Sequence, residues 1–105
     1  MVVYNVTVSI DEEVSQEWLQ WMREIHIPDV MATGHFKESR LCRVHGEEEG
    51  GVTYAITYLA HSQEELNTYQ ENHAHRLQGE HTKKFAGKFA AFRTLLSVID
   101  EFKPS

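Results

Sequence analysis

Segments with a two-residue repeat of apolar residues and segments with a helical repeat follow one another in the order strand, helix, strand, strand, helix, strand. This is the order of the split βαβ arrangement, in which two crossovers place both helices on one face of a four-stranded antiparallel sheet. A chain of 105 residues suits one domain. We therefore predict a single α+β, ferredoxin-like domain over residues 1–105 with the topology βαββαβ.

The first strand is predicted over residues 3–10, where apolar residues alternate with small polar ones. The apolar side chains share one face: Tyr4, Val6, Val8 and Ile10. The opposite face of this strand and of the third predicted strand carries mostly small residues: Val3, Asn5, Thr7, Thr53, Ala55, Thr57 and Leu59. A face of this kind suits sheet-on-sheet pairing better than a dry core, so we expect a homodimer.

The first helix is predicted to follow Asp11, which stands where an N-cap belongs. Its apolar side repeats at the helical period: Val14, Trp18, Trp21, Met22 and Ile25. Because Pro28 disfavours a helical conformation at Ile27, the helix should end near His26. Pro28 then opens a short second turn through Ala32.

A β-hairpin and a last strand are predicted from the second half of the chain. The hairpin arms are residues 36–46 and 52–60, and its tip is Glu47–Gly51. Residues 89–99 form a buried last strand in this prediction, although periodicity alone leaves a helix open. Two alternating sets of its residues are both plausible as the core face, so the face that Arg93 occupies stays open.

The second helix is predicted to begin after Ser62, which forms a capping box with Glu65. Its apolar stripe repeats at the helical period: Leu66, Tyr69, His73 and Leu77. Gly79 should end or bend this helix.

A short internal repeat links the two predicted helices. It consists of Glu24, His26 and Val30 and, 47 residues later, Glu71, His73 and Leu77. Because a ferredoxin-like fold contains two pseudo-symmetric βαβ units, the repeat predicts His26 and His73 at equivalent points. Each imidazole either stabilises a helix C-terminus or faces a cleft between helices and sheet, where it can move protons. His73 is the stronger functional candidate, since desolvation within its apolar stripe would perturb its pKa.

Three further side chains are candidates for a ligand pocket. Trp21 either packs in the core or forms a wall of an aromatic pocket. Arg93 has apolar neighbours, and it either reaches the surface past its methylene stem or contacts an anion. Tyr54 lies on one face of the third predicted strand. Together with His26 and His73, these residues form the predicted pocket.

Composition and motifs argue against several kinds of partner. A formal net charge of −6 disfavours nucleic acid. The chain has no run of 18 apolar residues and no basic signal-peptide region, so we expect a cytoplasmic protein with no membrane partner. A single cysteine, no HExxH motif and no histidine pair at i,i+4 predict no metal site. The missing GxGxxG and Walker loops disfavour a tightly held nucleotide, and we predict no cofactor.

A set of short motifs extends from Tyr4 to about Leu96. The most specific is HIPDVMATG, residues 26–34. The others are Tyr4-Asn5-Val6-Thr7, Trp18, Trp21-Met22, Gly51-Val52-Thr53-Tyr54, His73-Ala74, Arg76-Leu77 and Phe92-Arg93-Thr94. Together they resemble a family of short bacterial proteins that carries only a domain-of-unknown-function label, with His75 standing where that family has proline. The family looks like a member of the dimeric α+β barrel group, so the resemblance implies a ferredoxin-like protomer that pairs sheet to sheet and implies no established activity.

Binding of a small metabolite is the function predicted from these observations. We expect a cytoplasmic homodimer that holds the metabolite between helices and sheet, with proton transfer by an imidazole as its chemistry. A non-catalytic dimer that serves assembly or regulation is the alternative. The barrel group also includes cofactor-independent monooxygenases and haem-degrading enzymes. Asn5 and a histidine on the second helix resemble the latter, which adds Asn5 to the pocket candidates.

Overall fold

A computed structural model of the chain describes residues 1–46 and 48–105. Its four antiparallel strands are β1 Val2–Asp11, β2 Phe36–Arg43, β3 Gly51–Ala60 and β4 Phe89–Ser97. They form one sheet in the order β2-β3-β1-β4, so that β1 pairs with both β3 and β4. This arrangement confirms the predicted ferredoxin-like fold, and it shows that the last segment is a strand and not a helix.

The first helical run extends further than predicted. It contains a 3-10 turn Glu12–Val14, α1 Ser15–Trp21, a first π segment Met22–His26 and α2 Ile27–Ala32. The expected end near His26 is therefore wrong, since Ile27 has helical angles of −63° and −44°. Pro28 lies in the first turn of α2, directly after the π segment. Its missing N–H costs one hydrogen bond within the run, and the burial of Val30 beyond it favours continuation of the helix. Asp11 precedes the run as predicted, but its side chain makes no capping hydrogen bond.

The second helical run also passes the residue at which it was expected to stop. It contains α3 Gln63–Tyr69, a second π segment Gln70–Ala74 and α4 His75–Lys84. Ser62 caps it as predicted, because its hydroxyl accepts a hydrogen bond from the Glu65 N–H at 3.1 Å. Gly79 lies exposed inside α4. Its helix penalty of about 1 kcal/mol is outweighed by burial of Leu77 and His81 on the inner side of the same helix.

The sheet has one buried and one open face. The helices cover the face that contains the side chains of Tyr4, Val8, Ile10, Tyr54, Ile56 and Tyr58, which are all buried. Pairing of Val6 with Arg93 and of Thr7 with Phe92 places Arg93 on the helix side and Phe92 on the opposite side. We call the opposite side the open face; it consists of Val3, Asn5, Thr7, Ser9, Glu38, Arg40, Cys42, Thr53, Ala55, Thr57, Leu59, Ala90, Phe92, Thr94 and Leu96. Phe92 is 64% and Leu96 is 51% exposed there.

The hairpin between β2 and β3 lies close to the end of β1. Within its predicted tip, Glu47 lies outside the described residues, and Gly50 has a φ of +76°, which favours glycine. The carboxylate of Glu48 accepts hydrogen bonds from the hydroxyls of Ser9 and Thr53. These hydrogen bonds lower the pKa of Glu48 and attach the hairpin to β1.

Candidate functional site

A cavity of about 50 Å³ lies between the helix side of the sheet and the helices. Its apolar lining consists of Val6, Val8, Met22, Val30, Ile56, Phe89 and Ala91. Its polar lining consists of Tyr4, His26, Tyr58, Tyr69, Gln78, His81, Thr82 and Arg93. Thr82 and Arg93 are exposed, so the cavity opens between α4 and β4. No Asp or Glu of the described part of the chain lines it.

His81 enters the cavity from α4 and is only 8% exposed. The indole Nε1 of Trp18, itself fully buried, donates a hydrogen bond to His81 Nε2 at 2.8 Å. The ring of Phe89 packs edge-on against the imidazole, with the ring centroids 4.4 Å apart. Burial first, and then His26 and the charge of Arg93, lower the pKa of His81 to about 4, so the imidazole is neutral at pH 7.

His26 closes the first π segment and faces the same cavity. Its ring stacks on Trp21 at a centroid distance of 5.0 Å and lies 5.8 Å from the ring of His81. Its Nδ1 is buried and has no hydrogen-bond partner among residues 1–46 and 48–105. Burial, followed by the charge of Arg93, lowers the pKa of His26 to about 4. The site therefore contains two neutral imidazoles, and Nδ1 of His26 is a buried ring nitrogen without a partner among the described residues.

Arg93 and Gln78 both donate to the hydroxyl oxygen of Tyr4. Arg93 Nε lies 3.1 Å from that oxygen, and Gln78 Nε2 lies 3.4 Å from it. Since the oxygen accepts twice, the hydroxyl hydrogen of Tyr4 remains free to donate. Within the described residues, no carboxylate lies within salt-bridge distance of the Arg93 guanidinium. An uncompensated positive charge therefore stands at the mouth of the cavity.

Two further tyrosines of the lining, Tyr58 and Tyr69, are each 3% exposed. Burial is the largest cause that raises the pKa of both phenols, and the hydroxyl of Tyr4 adds to the increase. Both phenols therefore keep their protons at neutral pH and act as O–H donors.

Three other residues of the predicted pocket are not part of the cavity lining: Trp21, Tyr54 and Asn5. Trp21 reaches the site indirectly, by stacking on His26. Tyr54 stacks on Trp18 with centroids 4.9 Å apart. Asn5 lies on the open face, where it donates to the hydroxyl of Thr7 at 3.0 Å.

His73 lies in the second π segment, as His26 lies in the first, but its surroundings differ. Its ring stacks on Tyr69 and lies 5.5 Å from the ring of His35. It lines a shallow depression with Asp29, Ala32, Thr33 and Arg76, and not the cavity. The structure therefore brings His26 and Arg93 together and leaves His73 outside.

His81 was missed at the sequence level, although one signal for it was present. Leu77, His81 and Phe85 follow one another at a spacing of four and are all buried, which marks one helix face. A helix that ends or bends at Gly79, as predicted, would not place His81 on the same face as Leu77.

The described residues lack the features of a clustered metal site and of a membrane-spanning helix. They contain no group of three or more His, Cys, Asp or Glu side chains that could hold a metal ion. No helix among them is long and apolar enough to cross a membrane.

Comparison with known proteins identifies both a family and a shared fold. A dimeric ferredoxin-like protein from an uncultured marine organism matches with a TM-score of 0.76 and 16% identity, covering 99% of this chain and 100% of the other. A putative antibiotic biosynthesis monooxygenase from Bacillus cereus matches with a TM-score of 0.68 and 12% identity, covering 98% and 97%. These likenesses show the fold. No curated protein matches the chain.

The family model of a domain of unknown function, DUF4286, matches residues 1–99. This match covers nearly the whole chain and agrees with the motifs that extend from Tyr4 to about Leu96. The protein therefore belongs to the DUF4286 family.

Proposed function

We propose that this protein is a homodimer that binds a small metabolite in the cavity between its helices and sheet. The observation that carries the proposal is a lining that joins an unpaired Arg93 and two neutral imidazoles to an apolar wall, with no carboxylate among the described lining residues. Ligand pockets are typically apolar clefts with a few convergent polar groups. Groups with perturbed pKa values inside a cleft are more frequent at functional sites than elsewhere.

The size of the cavity limits what it holds. A volume of about 50 Å³ accommodates roughly three to five water-sized groups, since each needs about 10–15 Å³. The inserted part of the metabolite is therefore small, and any larger part extends through the mouth past Arg93.

Proton transfer by an imidazole is the chemistry that this proposal includes. A neutral imidazole accepts a proton at one ring nitrogen and donates from the other. His26 is the residue we assign to this step, because its Nδ1 has no partner in the described part of the chain. Oxygenation is not part of the proposal, since the likeness to the monooxygenase concerns the fold.

The homodimer is supported by the open face and by the comparison structures. Phe92 and Leu96 project large apolar side chains from this face, and burial of apolar area drives association. Two of the similar structures are described as dimeric ferredoxin-like proteins. A cytoplasmic location completes the proposal, because a single cysteine cannot form an intrachain disulfide.

A thermal-shift screen of small metabolites tests the binding proposal. At 100 times its Kd, a ligand stabilises the native state by about 2.7 kcal/mol, which corresponds to roughly 10 °C or more in Tm. We expect at least one compound to raise the Tm of the wild type and of His73→Ala, and not that of His26→Ala. His73→Ala is the matched control, since it removes an imidazole from outside the cavity.

Two results would contradict this proposal. One is a screen in which no compound changes the Tm while both substitutions lower stability by about 1 kcal/mol or more, which would favour the non-catalytic dimer. The other is a ligand whose stabilising effect survives His26→Ala unchanged.

A further inference from the structure

The hydrogen bond from Trp18 to His81 fixes which nitrogen of His81 carries the proton. An indole N–H is only a donor, so His81 Nε2 must present its lone pair to it. A neutral imidazole has one protonated nitrogen, and that nitrogen is therefore Nδ1. Because Trp18 is fully buried, water does not compete for its N–H.

Three tyrosine hydroxyls of the cavity lining add further donors. Tyr4 keeps a free hydroxyl hydrogen, because its oxygen already accepts from Arg93 and Gln78. Tyr58 and Tyr69 keep their phenolic protons. With the charge of Arg93, the site offers N–H and O–H groups and a positive field, and no carboxylate among the described residues opposes it.

We propose that the cavity takes the carboxylate group of a small organic acid, and that Trp18 is a positioning residue that holds His81 as an N–H donor toward it. This inference rests on the proposed function and names its ligand class. A carboxylate has two oxygens that accept hydrogen bonds and carry negative charge, which complements Arg93 and the donor set. The positive charge of Arg93 would repel a cationic ligand, and no carboxylate among the described lining residues would offset that repulsion.

Acetate is a suitable probe, because its four non-hydrogen atoms match roughly three to five water-sized groups. We expect acetate to bind saturably, as followed by NMR titration of the histidine side chains at constant ionic strength adjusted with chloride. Acetamide has the same shape and no charge, and we expect it to bind roughly tenfold more weakly or not at all. Arg93→Gln should remove acetate binding, whereas Arg43→Gln, which removes an equal charge on β2, should leave it unchanged.

The role of Trp18 is tested by the nitrogen-15 chemical shifts of the His81 ring. In the wild type at pH 7 we expect the shift of a protonated Nδ1 and of an unprotonated Nε2. Trp18→Phe keeps an aromatic ring but removes the donor, so His81 should become a mixture of both tautomers, and acetate binding should weaken roughly tenfold. Trp21→Phe, which removes the other indole, should leave the tautomer of His81 unchanged.

The outcomes separate this inference from the proposed function. A protonated Nε2 in the wild type would overturn the role of Trp18 without any variant having to fold. Equal binding of acetate and acetamide, both abolished by His26→Ala, would leave the metabolite site in place and overturn the carboxylate. Failure of acetate to bind while another class of compound stabilises the wild type would overturn the inference alone.

Discussion

Lowering the pH from 6.5 to 4 is expected to reduce the free energy of unfolding by roughly 2–3 kcal/mol for each of His26 and His81. Burial lowers the pKa of both imidazoles from 6.5 to about 4 in the folded protein, and Arg93 adds to the shift. Between these two pH values the unfolded chain binds more protons than the native state. The free energy of unfolding therefore rises with pH and reaches its full value above about pH 6.5. Urea unfolding at fixed protein concentration, repeated across this range, measures the effect.

The source of the pH dependence can be tested with glutamine substitutions. His26→Gln with His81→Gln should flatten the profile between pH 6.5 and 4, because glutamine does not titrate. His61→Gln, on an exposed histidine, should retain the full slope. A wild type with constant stability over this window would show that the two imidazoles are not buried in neutral form. Hydrogen bonds lower the pKa values of the Glu13 and Glu48 carboxyls. Protonation of these two groups therefore reduces stability only below about pH 4.5.

Substitution of Phe92 by lysine is expected to convert the proposed homodimer to a monomer. The aromatic ring is 64% exposed on the open face, and burying such a side chain contributes roughly 1.5–3 kcal/mol. A twofold dimer loses the contribution twice, which weakens association by roughly 10²–10⁴-fold. Sedimentation at micromolar concentration should give twice 12.2 kDa for the wild type and 12.2 kDa for Phe92→Lys.

Leu95 provides the matched control for the dimer. It lies in the same strand, pairs with Tyr4 on the helix side and is 54% exposed. Leu95→Lys therefore adds the same charge to β4 but not to the open face, and it should leave the dimer intact. A wild type that sediments at 12.2 kDa would refute the homodimer, whatever the variants do.

The strand order could be predicted because period-two alternation is a strong local signal. It is clear in β1 and β3, where the residues of the helix side are buried, apart from the partly buried Val6 and Val52, and their neighbours are not. It fails in β4, since both alternating sets there are apolar enough for a core. Only the pairing of Val6 with Arg93 decides between them, and that pairing depends on residues distant in sequence.

The helix ends could not be predicted from local rules. Pro28 and Gly79 both disfavour helix in isolation, but the helical runs continue through them because the buried side chains Val30 and His81 lie beyond. The same error left out one of the two imidazoles of the candidate site, since His81 follows Gly79. The sequence repeat located His26 and His73 in corresponding π segments, yet it could not reveal that only His26 lines the cavity.

The π segment that ends at His26 contains one residue more than the same stretch of regular α-helix would need. Its closing hydrogen bond runs from the Ile27 N–H back to the Met22 carbonyl, five residues earlier and not four. An extra residue in a regular α-helix would turn everything after it by about 100°, and the wider winding of the π segment absorbs that turn locally. Trp18 before the segment and Val30 after it therefore both remain buried. A single codon deletion within the segment would leave these flanking contacts largely in place and change mainly the direction in which the His26 imidazole projects.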